Sequence, residues 1–218
     1  MFSETLMDRM DLLRPYSKSN PAQPNSATIL LVGADGLGQE HLVEALHKVH
    51  VTFNLNVHVA NKLPLLEEGE KTRHCISLIV FLVDLTNPYS MTSVQDSLPY
   101  VAPDFFVGKV FFLITGGTPL VLLLTPARGE VKLEKDCAVS HASVINLART
   151  CHSECICADL QNEGSVRLAA ERLVRILKIV GGLIPGLSST CLCRPMLSVT
   201  DRLSFCEMSK EDSMNEQS

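Results

Sequence analysis

No serine stands in a G-x-S-x-G elbow, and the seven histidines are scattered over helix faces and loops, so a hydrolase triad cannot be assembled from this chain. Basic charge is not in excess either. Nineteen Lys and Arg against 24 Asp and Glu leave a net charge of −5, which argues against a generally basic nucleic-acid-binding surface. The N-terminal stretch Met1 to Ser26 mixes acidic and basic residues and ends in Pro21, Pro24 and Asn25. It has no positively flanked apolar core of the signal-peptide kind. Without a secretory route, the eight cysteines are expected to stay reduced, in cytosol or nucleus. Internal repeats are not evident, and the 46% hydrophobic and 20% charged content of 218 residues fits one globular domain with tails.

What is present begins with Ala27-Thr28-Ile29-Leu30-Leu31-Val32-Gly33, followed by Ala34-Asp35-Gly36-Leu37-Gly38-Gln39-Glu40. An apolar run, a glycine-rich turn and an amphipathic helical pattern follow one another in the order strand, phosphate loop, helix. Against G-x-x-x-x-G-K-[ST], Gly33 and Gly38 match. Gln39 stands where the phosphate-binding lysine belongs and Glu40 where the magnesium-binding hydroxyl belongs. A helix N-terminus offers an anion roughly 0.3–1 kcal/mol. A carboxylate ~4 Å from a phosphate charge opposes it by about 4 kcal/mol at an effective dielectric near 20. The loop is therefore expected to reject a triphosphate and to hold no nucleotide cofactor, its glycines serving turn geometry.

The rest of the chain alternates strands and helices, which implies a parallel sheet with helices on both faces. Thr28 to Val32 is a first strand apolar throughout, as a central parallel strand should be. Leu42, Val43, Leu46 and Val49 form one helical stripe. Leu55 to Val59 alternates with period two, as a half-exposed strand near a sheet edge does. Cys75 to Leu85 and Gly108 to Thr115 are two further buried strands. Between them Ser90 is expected to cap a helix bearing Met91, Val94 and Leu98, ended by Pro99. Val144, Leu147, Ala148 and Cys151 mark another helix, and Glu154 to Leu160 a short strand. A last helix after Ser165 turns Ala169, Leu173, Ile176, Leu177 and Val180 inward and Arg167, Arg172, Arg175 and Lys178 outward, until Gly181-Gly182 and Pro185 stop it.

Three stretches carry competing readings. Val110 to Ala127 holds no charge and is about the shortest length that spans a bilayer. Gly116-Gly117-Thr118-Pro119 interrupts it, which favours a strand followed by an apolar insertion at about 117–136. Cys151-His152-x-x-Cys155-x-Cys157 has metal-ligand residue types, but Cys155 and Cys157 share one strand face and no second pair stands at finger-like spacing, so no metal is expected. Cys191 and Cys193 lie in a stretch, 188–218, whose polar acidic end has the composition of a disordered tail. Free thiols there are a simpler reading than acylation.

From Ser77, the run Leu-Ile-Val-Phe-Leu-Val-Asp-Leu-Thr-Asn-Pro-Tyr-Ser resembles the fourth strand and following turn of Ras-like small GTPases. Ala158-Asp159-Leu160-Gln161-Asn162-Glu163-Gly164 continues the likeness into the final helix. That resemblance implies an α/β fold of the small-GTPase type with its working parts altered. The segment from Asn61 to Cys75 is too short for a third strand, a D-x-x-G turn and a switch helix, so the switch regions are expected to be missing. The base-reading position falls at Thr115-Gly116-Gly117-Thr118, without its Asp, and Ala158-Asp159-Leu160 replaces the S-A-K turn.

A closer resemblance, over roughly residues 13 to 187, is to the vertebrate centromere protein M family. It is carried by Ala27 to Gly33, Val57 to Leu65, Leu78 to Phe81, Phe105 to Val110, Arg172 to Leu177 and the Pro185-Gly186 exit, while Pro119 to Lys135 and the end from Thr190 depart from it. The resemblance implies a pseudo-GTPase domain at 27–187 behind an N-terminal arm at 1–26. It implies a non-catalytic scaffold of the constitutive centromere-associated network, in the nucleus at the kinetochore with a cytoplasmic fraction allowed. The partners it implies are centromere protein I with centromere proteins H and K, and centromeric chromatin only indirectly, with no membrane. Phe105, Phe106, Val107, Leu183, Ile184 and Leu187 are the candidates for partner contact, although Phe106 and Ile184 fit a core position equally well. The rival reading from another class is a divergent nucleotide-binding GTPase-like enzyme or switch; a third is a membrane-associated adaptor using Val110 to Ala127.

Overall fold

The structure is a computed structural model and describes residues 25–65, 76–116 and 137–187. The expected N-terminal arm, the apolar insertion and the acidic tail fall outside these residues, as do most of the Asn61 to Cys75 segment and the bilayer-length stretch beyond Gly116.

Among the described residues, five strands form one all-parallel sheet in the order β2-β1-β3-β4-β5. They are β1 Ser26–Val32, β2 Asn54–Ala60, β3 Leu78–Asp84, β4 Val110–Thr115 and β5 Glu154–Cys157. The helices are α1 Gln39–Lys48, α2 Pro88–Ser97, α3 His141–Thr150 and α4 Glu163–Val180, with two short 3-10 turns, Leu98–Tyr100 and Pro103–Phe106, between α2 and β4. This is an α/β fold in a Ras-like arrangement.

Burial explains the strand order. β1, β3 and β4 are apolar through their length and occupy the sheet centre, covered on both faces. β2 mixes exposed and half-buried residues, with none fully buried, and takes an edge; the expected alternation breaks at Val57 and His58, both half-buried, and Val59 is exposed. Because successive side chains point to opposite faces, each central strand feeds two cores. Ile29, Leu31, Val80, Leu82 and Leu113 pack under α1 and α4. Leu30, Val32, Ile79, Phe81, Val83 and Phe112 pack under α2 and α3. Phe81 and Phe112 are paired in register, their rings tilted at 34° with centroids 5.7 Å apart, a favourable aromatic geometry on the second face. On α4 the buried stripe is Val166, Ala169, Ala170, Leu173, Val174, Ile176 and Leu177; Val180 is only half-buried.

Two helix starts differ from the sequence expectation, for one reason. α2 begins at Pro88, capped by Asn87 and not by Ser90; the Asn87 side chain accepts from the Tyr89 N–H at 3.0 Å. α4 begins at Glu163, ahead of Ser165, capped by Asn162, whose side chain accepts from the Ser165 N–H at 3.1 Å. In both turns the serine bonds backward. Ser90 Oγ accepts from Asp84 N–H at 3.0 Å, and Ser165 Oγ accepts from Asp159 N–H at 2.9 Å. In both, the aspartate accepts an N–H two residues on: Asp84, the last residue of β3, from Thr86 at 2.8 Å, and Asp159, two residues past β5, from Gln161 at 2.9 Å. The shared pattern is Asp-Leu-x-Asn-x-x-Ser, at 84–90 and 159–165. It is a short local repeat where none was expected, and it places Asx-type turn bonds where the sheet hands over to a helix.

Leu82 is fully buried between β1 and β4 neighbours and packs under the phosphate-loop region. Leu82→Ala is expected to lower unfolding stability by about 2–5 kcal/mol, the range for leucine truncation in a packed core. Urea denaturation followed by far-ultraviolet circular dichroism checks this.

Candidate functional site

The loop joining β1 to α1 sits at the carboxyl edge of the sheet, beside a central strand, where open α/β sheets place their ligands. Its two matching glycines have geometric reasons to be glycine. At Gly33 an added Cβ would lie 2.8 Å from Leu82 Cβ. Gly38 has φ of +79° and an added Cβ there would sit 3.3 Å from Leu160 Cβ.

The lysine position is occupied by a side chain that points into the loop. Gln39 is 4% exposed. Its Nε2 donates to the Gly33 carbonyl at 2.8 Å and to the Ala34 carbonyl at 3.0 Å. Leu37, also buried, joins the first core from the same loop. The interior of the turn is therefore filled by an amide and an isobutyl group. Glu40, by contrast, is exposed. Water screens its repulsion toward the ~1 kcal/mol expected at a dielectric of 80, so filling by Gln39 and Leu37 is the stronger obstacle to a phosphate. Sequence reasoning weighted the charge and missed the filling. A glutamine one residue after a positive-φ glycine gives no hint of which way its amide turns.

The rim is closed in the same self-contained way. Asn61 Nδ2 donates to Asp35 Oδ2 at 2.9 Å across the loop mouth, and Gly33 N–H donates to Ala60 O at 3.0 Å. His41 Nδ1 lies 3.1 Å from Leu160 O, a pairing that puts the proton on Nδ1 and ties α1 to the second Asp-Leu-x-Asn-x-x-Ser turn. Thr115, the first residue of the expected base-reading position, is buried at the end of β4.

The partner candidates lie at the opposite, amino edge. α4 runs antiparallel to the strands and ends there: an added Cβ at Gly181 would be 3.3 Å from Ala27 Cβ. The structure separates the six. Phe105 is wholly buried in the second core and offers nothing to a partner. Phe106 is half-buried against the same core and Val107 is 44% exposed. Leu183 is half-buried against the first core, Ile184 is half-buried, and Leu187 is 44% exposed. Phe105 was misjudged because it sits in a 3-10 turn, where no helical or strand periodicity marks which of two adjacent phenylalanines faces inward.

The cysteine cluster is a core feature. Cys151, Cys155 and Cys157 are half-buried against the second core, and Cys157 Sγ lies 3.9 Å from His141 Nε2. Among the described residues no group of three or more His, Cys, Asp or Glu is placed to hold a metal ion. Burial pushes the Cys157 thiol up to about 11, only partly countered by the positive charge of Arg172. Such a thiol is a poor nucleophile at neutral pH. No helix among the described residues is long and apolar enough to cross a membrane.

Comparison with known proteins adds a family to this geometry. A family model described as Centromere protein M (CENP-M) matches residues 10–198. The chain is 37% identical to Centromere protein M of Homo sapiens over 180 residues, 83% of this chain and 90% of that protein. It is 36% identical to Centromere protein M of Xenopus laevis over 183 residues, 84% and 93% of the two chains. For Centromere protein M of Danio rerio the figures are 36% over 203 residues, 93% and 98%.

Two outcomes follow from the geometry. Gln39→Glu sets a carboxylate against two carbonyl oxygens, and urea melts should show a loss of about 1–3 kcal/mol at pH 7. Part of that loss should return below pH ~4.3, where the neutral carboxyl donates again. Cys157, whose folded pKa is raised from 9.0 to about 11, contributes stability that is complete below pH 9 and is lost as pH rises through 11. Thermal melts across that window should show the decline, and Cys157→Ala should flatten it.

Proposed function

The chain belongs to the centromere protein M family, and from that premise we propose that it is a non-catalytic, pseudo-GTPase scaffold of the inner kinetochore. It is a centromere protein. In the proposed role it binds centromere protein I, together with centromere proteins H and K, within the constitutive centromere-associated network. It touches centromeric chromatin only through them, and it serves kinetochore assembly and chromosome segregation in the nucleus.

The observation that carries the reading is Gln39. A fold of Ras-like arrangement keeps its strand-loop-helix turn, yet the side chain at the lysine position is bonded to the loop's own carbonyls. Catalysis on a nucleotide needs a cradle of free N–H groups, a lysine and a metal-binding hydroxyl. This loop has neither the lysine nor the hydroxyl, and its interior is occupied. What remains for function is surface. At the amino edge Val107 and Leu187 stand exposed, with Phe106, Leu183 and Ile184 half-buried near them in the chain. Apolar side chains in such positions suit docking on a helical partner.

Affinity purification of the chain from dividing cells, with mass spectrometry, is expected to recover centromere proteins I, H and K. Leu187→Glu should lower that recovery severalfold without shifting the melting temperature, since the side chain is 44% exposed. Unchanged recovery counts against this edge, and absence of all three proteins counts against the partner assignment. A fluorescent GTP analogue with magnesium is expected to show no saturable binding. Micromolar saturation would restore the divergent-enzyme reading.

A further inference from the structure

Among the described residues, β2 has β1 on one side and no strand on the other. Two bonds show which of its backbone groups face that open side. Asn54 N–H donates to Asn25 O at 2.9 Å, and Ala60 O accepts from Gly33 N–H at 3.0 Å, both partners lying at the ends of β1. The N–H and C=O of one strand residue point the same way and the direction alternates along the strand, so the even-numbered residues serve β1. Leu55, Val57 and Val59 turn theirs outward. Their side chains share the α1 face of the sheet, where Leu55 and Val57 are half-buried against the first core and Val59 is 47% exposed.

The opposite edge of the sheet is guarded and this one is not. β5 is four residues long, and its Glu154 is ion-paired with Arg172 at 3.8 Å. β2 runs seven residues, from Asn54 to Ala60, with no Lys, Arg, Asp, Glu or Pro. Shortness, charge and proline are the devices that keep an edge strand from pairing with another chain.

We propose that β2 pairs with β2 of a second copy of this chain, antiparallel about a two-fold axis at Val57, so that the two five-stranded sheets join into one. The proposal goes beyond the scaffold reading and does not depend on it.

Self-complementarity selects the occupant. Centring on Val57 sets Leu55 opposite Val59 of the second copy, Val57 opposite its own counterpart, and Val59 opposite Leu55. These are the hydrogen-bonded pairs of an antiparallel ladder, each exchanging two bonds, so every outward N–H and C=O of the three residues is used. Moving the axis to Asn56 or His58 leaves one outward residue opposite a residue beyond the strand. The same centring joins Leu55, Val57 and Val59 of both copies into one apolar row on the α1 face. Charge agrees with it. Glu40, Val43 and His47 stand at i, i+3 and i+7 on one side of α1, and His47 lines a small hollow with Asn54, Leu55 and Asn56, which turns that side toward the open edge. The axis sets the second α1 antiparallel to the first, with Val43 toward Val43 and the Glu40 carboxylate toward the His47 imidazole, so no like charges of this row meet.

Area sets the strength. A seven-residue strand is about 23 Å long and a sheet with one helix layer roughly 20 Å deep, so each copy covers about 460 Å². The total of about 900 Å² falls just short of the ~1,000 Å² expected of a stable interface, which makes the pair weak and dependent on concentration.

The test is sedimentation velocity of the full-length chain across the micromolar range, with amide hydrogen exchange read at both ends of it. The expected result is a monomer giving way to a dimer as concentration rises, with the Leu55, Val57 and Val59 amides slowed only where the dimer forms. Val59→Glu should weaken association about tenfold without shifting the melting temperature, the side chain being 47% exposed. Leu55→Lys should weaken it likewise. The two in one chain should recover most of the loss, because the register sets each lysine opposite a glutamate of the other copy. Within one chain the two positions are about 13 Å apart, too far to pair. A monomer at every concentration overturns the proposal, and exchange then identifies what holds the edge. Amides slow in the monomer mean a segment of this chain, amides slowed only in the co-purified complex mean a partner's strand, and fast amides throughout mean an open edge. A dimer indifferent to Val59→Glu, or a double variant no stronger than the single ones, overturns it too. The scaffold reading is judged separately by co-purification.

Discussion

A parallel sheet covered on both faces leaves one recurring problem at its carboxyl edge: the backbone groups that leave each strand must find partners before the next helix begins. Proteins that bind phosphates at such an edge let the ligand serve as one of those partners. Here the chain supplies them. Gln39 caps the carbonyls after β1, Ser90 and Ser165 take the N–H groups of the aspartates that end β3 or follow β5, and each aspartate then organises its own turn. No buried side-chain nitrogen or oxygen among the described residues is left without a hydrogen-bond partner. The filled phosphate loop is one member of this set.

The two ends of the sheet therefore differ in character. The carboxyl edge is closed by bonds that are local within the two Asp-Leu-x-Asn-x-x-Ser turns and long-range where Asn61 meets Asp35 and His41 meets Leu160. The amino edge is where α4 ends and near which Val107 and Leu187 are exposed. Between the edges, α1 and α4 carry a mixed-charge groove down one flank.

Much of this was legible in the sequence, because the central strands are runs of apolar, β-branched and aromatic residues that no other element can use. Ile29 to Val32, Leu78 to Val83 and Val110 to Ile114 announce themselves, and the alternation through Val57 and Val59 placed β2 at the edge. The misses share a cause. Asn87 outcompeted Ser90 as a cap because proline at 88 fixes the first helical residue, which frees the serine hydroxyl to bond back to the strand. Gln39 could be seen as the loss of a lysine but not as a replacement, since direction is a property of the packed state. Phe105 and Phe106 are chemically identical and adjacent, and only the 3-10 turn separates core from surface.

An edge closed by its own side chains also changes how the molecule answers to its surroundings. Where a small ligand completes a fold, part of the stability arrives by mass action, about 2.7 kcal/mol at a hundred times the dissociation constant, and disappears when the pool is depleted. Gln39, Ser90 and Ser165 are covalently present at unit stoichiometry. Their contribution does not vary with the concentration of any small molecule around the chain.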